Sequence, residues 1–101
     1  MSDLESRLAD LAGRGATITY GALARDLGWR MGALTEALEI LIENDARAGL
    51  PLRAALCEGR LAGGLPAQGF FLKAAALGFD VTDPAGFAAS QRAMLFRVGK
   101  P

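Results

Sequence analysis

The chain contains no histidine, and cysteine occurs once, at Cys57, among its 101 residues. A lone cysteine excludes an intramolecular disulfide, and without histidine the usual cysteine/histidine zinc sites are excluded too. Catalysis built on a histidine base is excluded for the same reason. Charge of one sign is also lacking: 11 basic and 11 acidic side chains cancel to zero. A stand-alone nucleic-acid binder usually carries a basic excess, so this balance weighs against strong DNA binding, although local fields count for more than the sum. No apolar run reaches the length of a membrane span. The start, Met1-Ser2-Asp3-Leu4-Glu5, is acidic and has no apolar core, so it does not read as a signal peptide. The expectation is a cytoplasmic protein with no membrane partner, no metal and no cofactor.

What is present is enough apolar material, 51% of residues, for a single-domain core. Leu4, Leu8 and Leu11 repeat at helical spacing behind Asp3, predicting a first helix to about residue 12 that Gly13 and Gly15 end. Ile18, between two threonines, suits a short extended piece. Thr19 then caps a two-turn helix that buries Tyr20, Leu23, Ala24 and Leu27 and stops at Gly28. A third helix is predicted over about 30–47. Met31, Leu34, Ala37, Leu38, Leu41 and Ile42 form its apolar stripe, which Ile40 and Ala33 are expected to widen, with Glu36, Glu39 and Glu43 on the opposite face. Gly49 and Pro51 end it.

The segment 52–57 reads as a strand, Glu58-Gly59 as a turn and 60–62 as a short return strand, together a β-hairpin. A loop at Gly63-Gly64-Leu65-Pro66 leads to a fourth helix over 70–77, with Gly78 at its C′ position and Phe79 folding back. Asp83 caps a last helix with Pro84 in its first turn, turning Phe87, Met94 and Leu95 to the core, and 99–101 fray. Three helices followed by a hairpin describe a winged-helix arrangement. The expected fold is therefore α+β, a single winged-helix-like domain with its core at about 3–63 and two additional C-terminal helices at about 69–97. The extended piece at Ile18 would supply a third strand.

Thr19-Tyr20-Gly21-x-Leu23-Ala24-x-x-Leu27-Gly28 resembles the start of the winged-helix domain of alkylguanine-DNA alkyltransferases and alkyltransferase-like proteins. Ala33-Leu34-Thr35-Glu36-Ala37-Leu38 is similar to that family's recognition-helix core, and Leu50-Pro51-Leu52 to its approach to the active-site strand, so the likeness covers about residues 17–57. The departures remove the chemistry. The family's reactive cysteine lies in a proline-cysteine-histidine-arginine motif, whereas Leu56-Cys57-Glu58-Gly59 stands here, and the anionic Glu58 opposes thiolate formation. The family's base-flipping arginine is replaced by Gly32. A second likeness is to small bacterial domains found with restriction and DNA-modification genes. It rests on the Thr-Tyr-Gly opening, the long helix, the Leu-Pro strand and Gly64-Leu65-Pro66-Ala67-Gln68-Gly69-Phe70-Phe71, and it implies a DNA-associated or regulatory role.

Candidate nucleic-acid contacts are Tyr20, Arg25, Arg30, Thr35, Arg53 and Arg60. The resemblance implies that Tyr20 touches a phosphate at a helix N-terminus; the plainer alternative is a half-buried tyrosine with a wet hydroxyl. Arg25 and Arg30 can flank a phosphate backbone, and Arg53 and Arg60 would lie on the hairpin; the alternative is ordinary solvated arginines. The glutamate ridge argues against groove entry by the third helix, since three carboxylates on one face repel phosphate. The glycine spacing over 64–69 is that of a phosphate loop, but Phe70-Phe71 follows where lysine and a hydroxyl residue belong, so it reads as a turn feeding a helix. Cys57 reads as a small core residue.

The expectation is thus a non-enzymatic winged-helix module that is DNA-associated or regulatory. Its alternative is a protein-interaction module using Glu36, Glu39 and Glu43 together with an exposed member of the Phe70/Phe71 pair.

Overall fold

The computed structural model describes residues 3–99. It is α+β, with five helices and one two-stranded parallel sheet. The helices are α1 (Asp3–Arg14), α2 (Tyr20–Leu27), α3 (Met31–Ala48), α4 (Gln68–Ala76) and α5 (Pro84–Gly99). The strands are β1 (Ile18–Thr19) and β2 (Cys57–Glu58), and a 3-10 turn, Arg53–Leu56, leads into β2.

Local chemistry explains the helix limits. The Thr19 hydroxyl oxygen accepts the Ala22 N–H at 3.2 Å, capping α2. Gly28 and Gly49 close α2 and α3 in the left-handed region, both at φ 70°, where a side chain would strain the backbone. The Phe79 N–H bonds back to the Ala74 carbonyl at 3.1 Å, so Phe79 folds onto the end of α4 as expected. The Asp83 carboxylate accepts the Gly86 N–H at 3.1 Å at the start of α5. Helix α1 runs one turn-fraction further than its leucine spacing suggested, to Arg14, and α4 begins two residues earlier, at Gln68.

Leu8, Leu23, Leu34, Leu52 and Leu56 are sealed from solvent and form the centre of the core. Helix α5 packs along α1 and against the 3-10 turn. The helices approach so closely there that a Cβ on Gly99 would lie 2.7 Å from the Ala12 carbonyl carbon. Of the three side chains expected to face the core from α5, Leu95 is buried while Phe87 and Met94 are half-buried; Ala88 and Gln91 fill the remaining inward positions. The expected fraying at 99–101 lies outside the described residues except for Gly99, which is helical.

The hairpin is the principal correction. No hairpin occurs among the described residues: 53–56 wind into the 3-10 turn, and β2 pairs parallel with β1, Ile18 opposite Cys57 and Thr19 opposite Glu58. The reason is where the backbone donors go. The Leu52 N–H is taken by the Gln91 side-chain oxygen at 2.8 Å, and the Arg53 N–H by the Asp45 carboxylate at 3.0 Å. Ala54, Ala55, Leu56 and Cys57 are all buried, so this stretch has no solvent face to alternate with a core face. Residues 60–62, expected as a return strand, instead close a tight turn through the Ala62 N–H and the Gly59 carbonyl at 3.2 Å.

Candidate functional site

A cleft of about 760 Å³ opens between α2, α3, the loop 59–67 and the start of α4. Leu38, Ile42, Ala54 and Phe70 form apolar walls, and Thr19, Tyr20, Arg25, Thr35, Glu39, Glu58 and Arg60 add polar groups. That volume falls in the range of sites that enclose a small organic group, roughly 300–1,000 Å³. No residue of α5 lines it.

Tyr20 joins two sides of the cleft. As the first residue of α2 it is half-buried, and its hydroxyl oxygen accepts the Ala67 N–H at 3.1 Å. Burial raises its pKa above the ordinary value, and the bond from Ala67 opposes that rise. The hydroxyl therefore holds the loop ahead of α4, a role the sequence did not indicate. The Thr35 hydroxyl donates to the Met31 carbonyl one turn back, at 3.0 Å. Glu58 accepts a hydrogen bond from the Thr17 hydroxyl. Among the described residues Arg25 and Arg60 are exposed and have no ion-pair partner.

The loop 59–67 is built rather than slack. The Gly59 N–H donates to the Leu65 carbonyl at 2.8 Å, and the Leu65 N–H to the Ala62 carbonyl at 3.2 Å. Gly63 and Gly64 take positive φ, as turn glycines do. Leu61 also lies at positive φ, 59°, and it is the one non-glycine among the described residues to do so.

Four of the six candidate contacts, Tyr20, Arg25, Thr35 and Arg60, come together at this cleft. Arg30 does not line it and is exposed just ahead of α3. Arg53 is a correction: with no hairpin to display it, its guanidinium is spent on Asp45 at 2.9 Å and Glu5 at 3.0 Å. Its hydrogen bonds to Asp45 raise its pKa further. Of the acidic ridge, Glu39 faces the cleft and Glu36 is exposed outside its lining. Glu43 pairs with Lys73, whose hydrogen bond lowers the carboxyl pKa. The exposed phenylalanine is also corrected. Phe70 is buried and Phe71 half-buried, because the rings meet edge to face at 5.2 Å and both pack on the core.

Cys57 is a core residue, fully buried and absent from the cleft lining. Burial pushes its thiol up to about 12, and the opposing charge of Arg92 is too weak to offset it. The Arg92 guanidinium instead donates to the carbonyls of Ala55 and Cys57, at 2.7 and 3.4 Å. Among the described residues no cluster of acidic or cysteine side chains is arranged to hold a metal ion. Among the described residues no helix is long and apolar enough to cross a membrane.

Compared with family models, with curated proteins and with solved structures, the chain matches none.

Sequence reasoning missed Leu61, Met31 and Glu58 as members of the cleft. The available signal for Leu61 was a leucine inside a glycine-rich turn, with Gly59, Gly63 and Gly64 about it.

Proposed function

We propose that this chain is a non-enzymatic, DNA-associated module whose α1, α2 and α3 form a helix-turn-helix core of winged-helix type, with the loop 59–67 standing where a wing would project. The observation that carries the reading is the pair of unpaired, exposed arginines, Arg25 and Arg60, on the rim of a cleft that opens beside the N-terminus of α2. A helix N-terminus and two free guanidiniums favour a polyanion at that rim. Glu39 and Glu58 line the same cleft and oppose it, so binding is weak.

The non-enzymatic part of the reading is supported by the site's chemistry. The one thiol is buried and held protonated, and there is no histidine to activate a hydroxyl or a water. The protein-interaction alternative loses support from its intended anchors. Phe70 and Phe71 are packed, and Glu43 is already paired within the chain.

The test is fluorescence anisotropy of a short labelled duplex at low salt, comparing the native chain with the double substitution Arg25→Ala/Arg60→Ala. Both side chains are exposed, so the fold is expected to persist. Loss of most of the affinity is the expected result; unchanged affinity would overturn the reading.

A further inference from the structure

Leu61 combines two features that ordinary folding selects against. Its side chain is 97% exposed, more than any other large apolar residue described. Its backbone occupies the left-handed region, at φ 59°. The turn Gly59-Arg60-Leu61-Ala62 closes with an Ala62 N–H to Gly59 carbonyl bond at 3.2 Å, which puts Leu61 at the third turn position. When that position has positive φ, glycine or asparagine is the usual occupant. A branched aliphatic residue there gains nothing from the turn and nothing from burial.

The turn is nonetheless held in place. The Gly59 N–H to Leu65 carbonyl bond and the Tyr20 hydroxyl on the Ala67 N–H fasten the loop at both ends. Leu61 is therefore presented at the rim of the cleft by an ordered support. Arg60 precedes it directly, and both belong to the cleft lining with Arg25.

Resting on the DNA-associated reading above, we infer that Leu61 is a wedge that enters the base stack of duplex DNA while Arg60 and Arg25 engage the flanking phosphates. An exposed aliphatic tip on a rim that also carries cations matches the chemistry of a nucleic acid, an apolar stack beneath charged oxygens. Apolar side chains inserted between base steps unstack and kink a duplex in this way. A stable protein partner would bury about 800 Å² in all on each side, centred on a contiguous apolar patch. At the cleft rim only Met31 and Leu61 are large apolar residues in the exposed class.

The experiment uses the full chain and a short duplex carrying 2-aminopurine at its centre, at low salt. Unstacking raises the probe's fluorescence, and anisotropy of an end label reports affinity separately. The native chain is expected to raise the fluorescence on binding. Leu61→Gly suits the left-handed backbone, so its thermal midpoint should be equal or higher. It should bind about tenfold or more weakly, as removal of one buried leucine side chain implies, and should leave the probe stacked. Leu61→Met should restore the signal. If Leu61→Gly binds and brightens the probe as the native chain does, or if the native chain binds without brightening it, the wedge is overturned while the DNA reading stands. If the native chain shows no anisotropy change at all, the DNA reading fails and the wedge with it.

Discussion

Asp45 is 1% exposed, and its carboxylate accepts from three groups of Arg53: the backbone N–H, Nε and a terminal guanidinium nitrogen. It thereby fixes the start of the 3-10 turn whose Ala54 forms part of the cleft wall. Asp45→Ala would leave the Arg53 N–H without its acceptor and a guanidinium half-satisfied. Arg53 is about one-third exposed and keeps Glu5, so water screens part of the loss. The expected cost is about 2–3 kcal/mol, below that of breaking a fully buried pair. Urea unfolding with an unchanged m-value measures it; a loss under about 0.5 kcal/mol would contradict the role assigned to Asp45. Cys57 gives a second residue-scale expectation. Its thiol ionises at 9.0 when exposed but only near 12 when folded. Between those values the unfolded chain binds fewer protons than the folded one, so stability falls as pH rises. This group's contribution is complete below about pH 9 and declines by about 1.4 kcal/mol per pH unit above it. Tyr20 adds to the same trend at higher pH, since burial raises its pKa as well. Cys57→Ala should delay the decline in chemical-denaturation midpoints. Native Cys57 should react with a thiol reagent at neutral pH no faster than the chain unfolds; rapid labelling would contradict its burial.

At the scale of elements, α2 depends most on its ends. It has eight residues, too few to be stable without neighbours. Thr19→Ala removes the cap on Ala22 and should cost about 1 kcal/mol. Gly28→Ala forces a side chain into the left-handed region and should cost a similar amount, about 1 kcal/mol. Thermal melts of the two variants check this, and a double variant should lose the sum only if the two ends act independently. These caps were legible in the sequence because they are local. Thr19, Gly28 and Gly49 mark helix ends by their own conformational preferences, and the leucines of α1 and α3 give a 3.6-residue period. The segment 52–58 was not legible in the same way. Leu52, Ala54 and Leu56 alternate as a strand would, but the donors of Leu52 and Arg53 are claimed by Gln91 and Asp45, 39 and 8 residues distant in sequence. Nothing within the segment announces those acceptors. The packing of Phe71 was hidden for a related reason. Neighbouring helix positions point apart, yet the Phe71 ring turns back onto the edge of Phe70.

At the scale of the molecule, the net charge of zero is repeated at the cleft, where Arg25 and Arg60 share the lining with Glu39 and Glu58. Neither arginine has an ion-pair partner among the described residues. Arg7, Arg14, Arg53 and Lys73 are spent on internal carboxylates, whereas Arg25 and Arg60 are left on one rim. If those two arginines are the phosphate contacts, the logarithm of affinity should fall with the logarithm of salt at a slope of about −2, and either single alanine substitution should reduce it by about 1. The cleft also explains how the candidate residues divide. Tyr20, Arg25, Thr35 and Arg60 meet because α2, α3 and the loop 59–67 share its walls, while Arg53 faces α1 and α3 through Glu5 and Asp45. The central claim is that this shared rim is where DNA is met. An amide-shift titration of the isotopically labelled chain with short duplex DNA at low salt tests it most directly. The account predicts shifts at Tyr20, Arg25, Thr35 and 59–64, with 84–99 on α5 unchanged. Shifts confined to α5, or none anywhere, would contradict it.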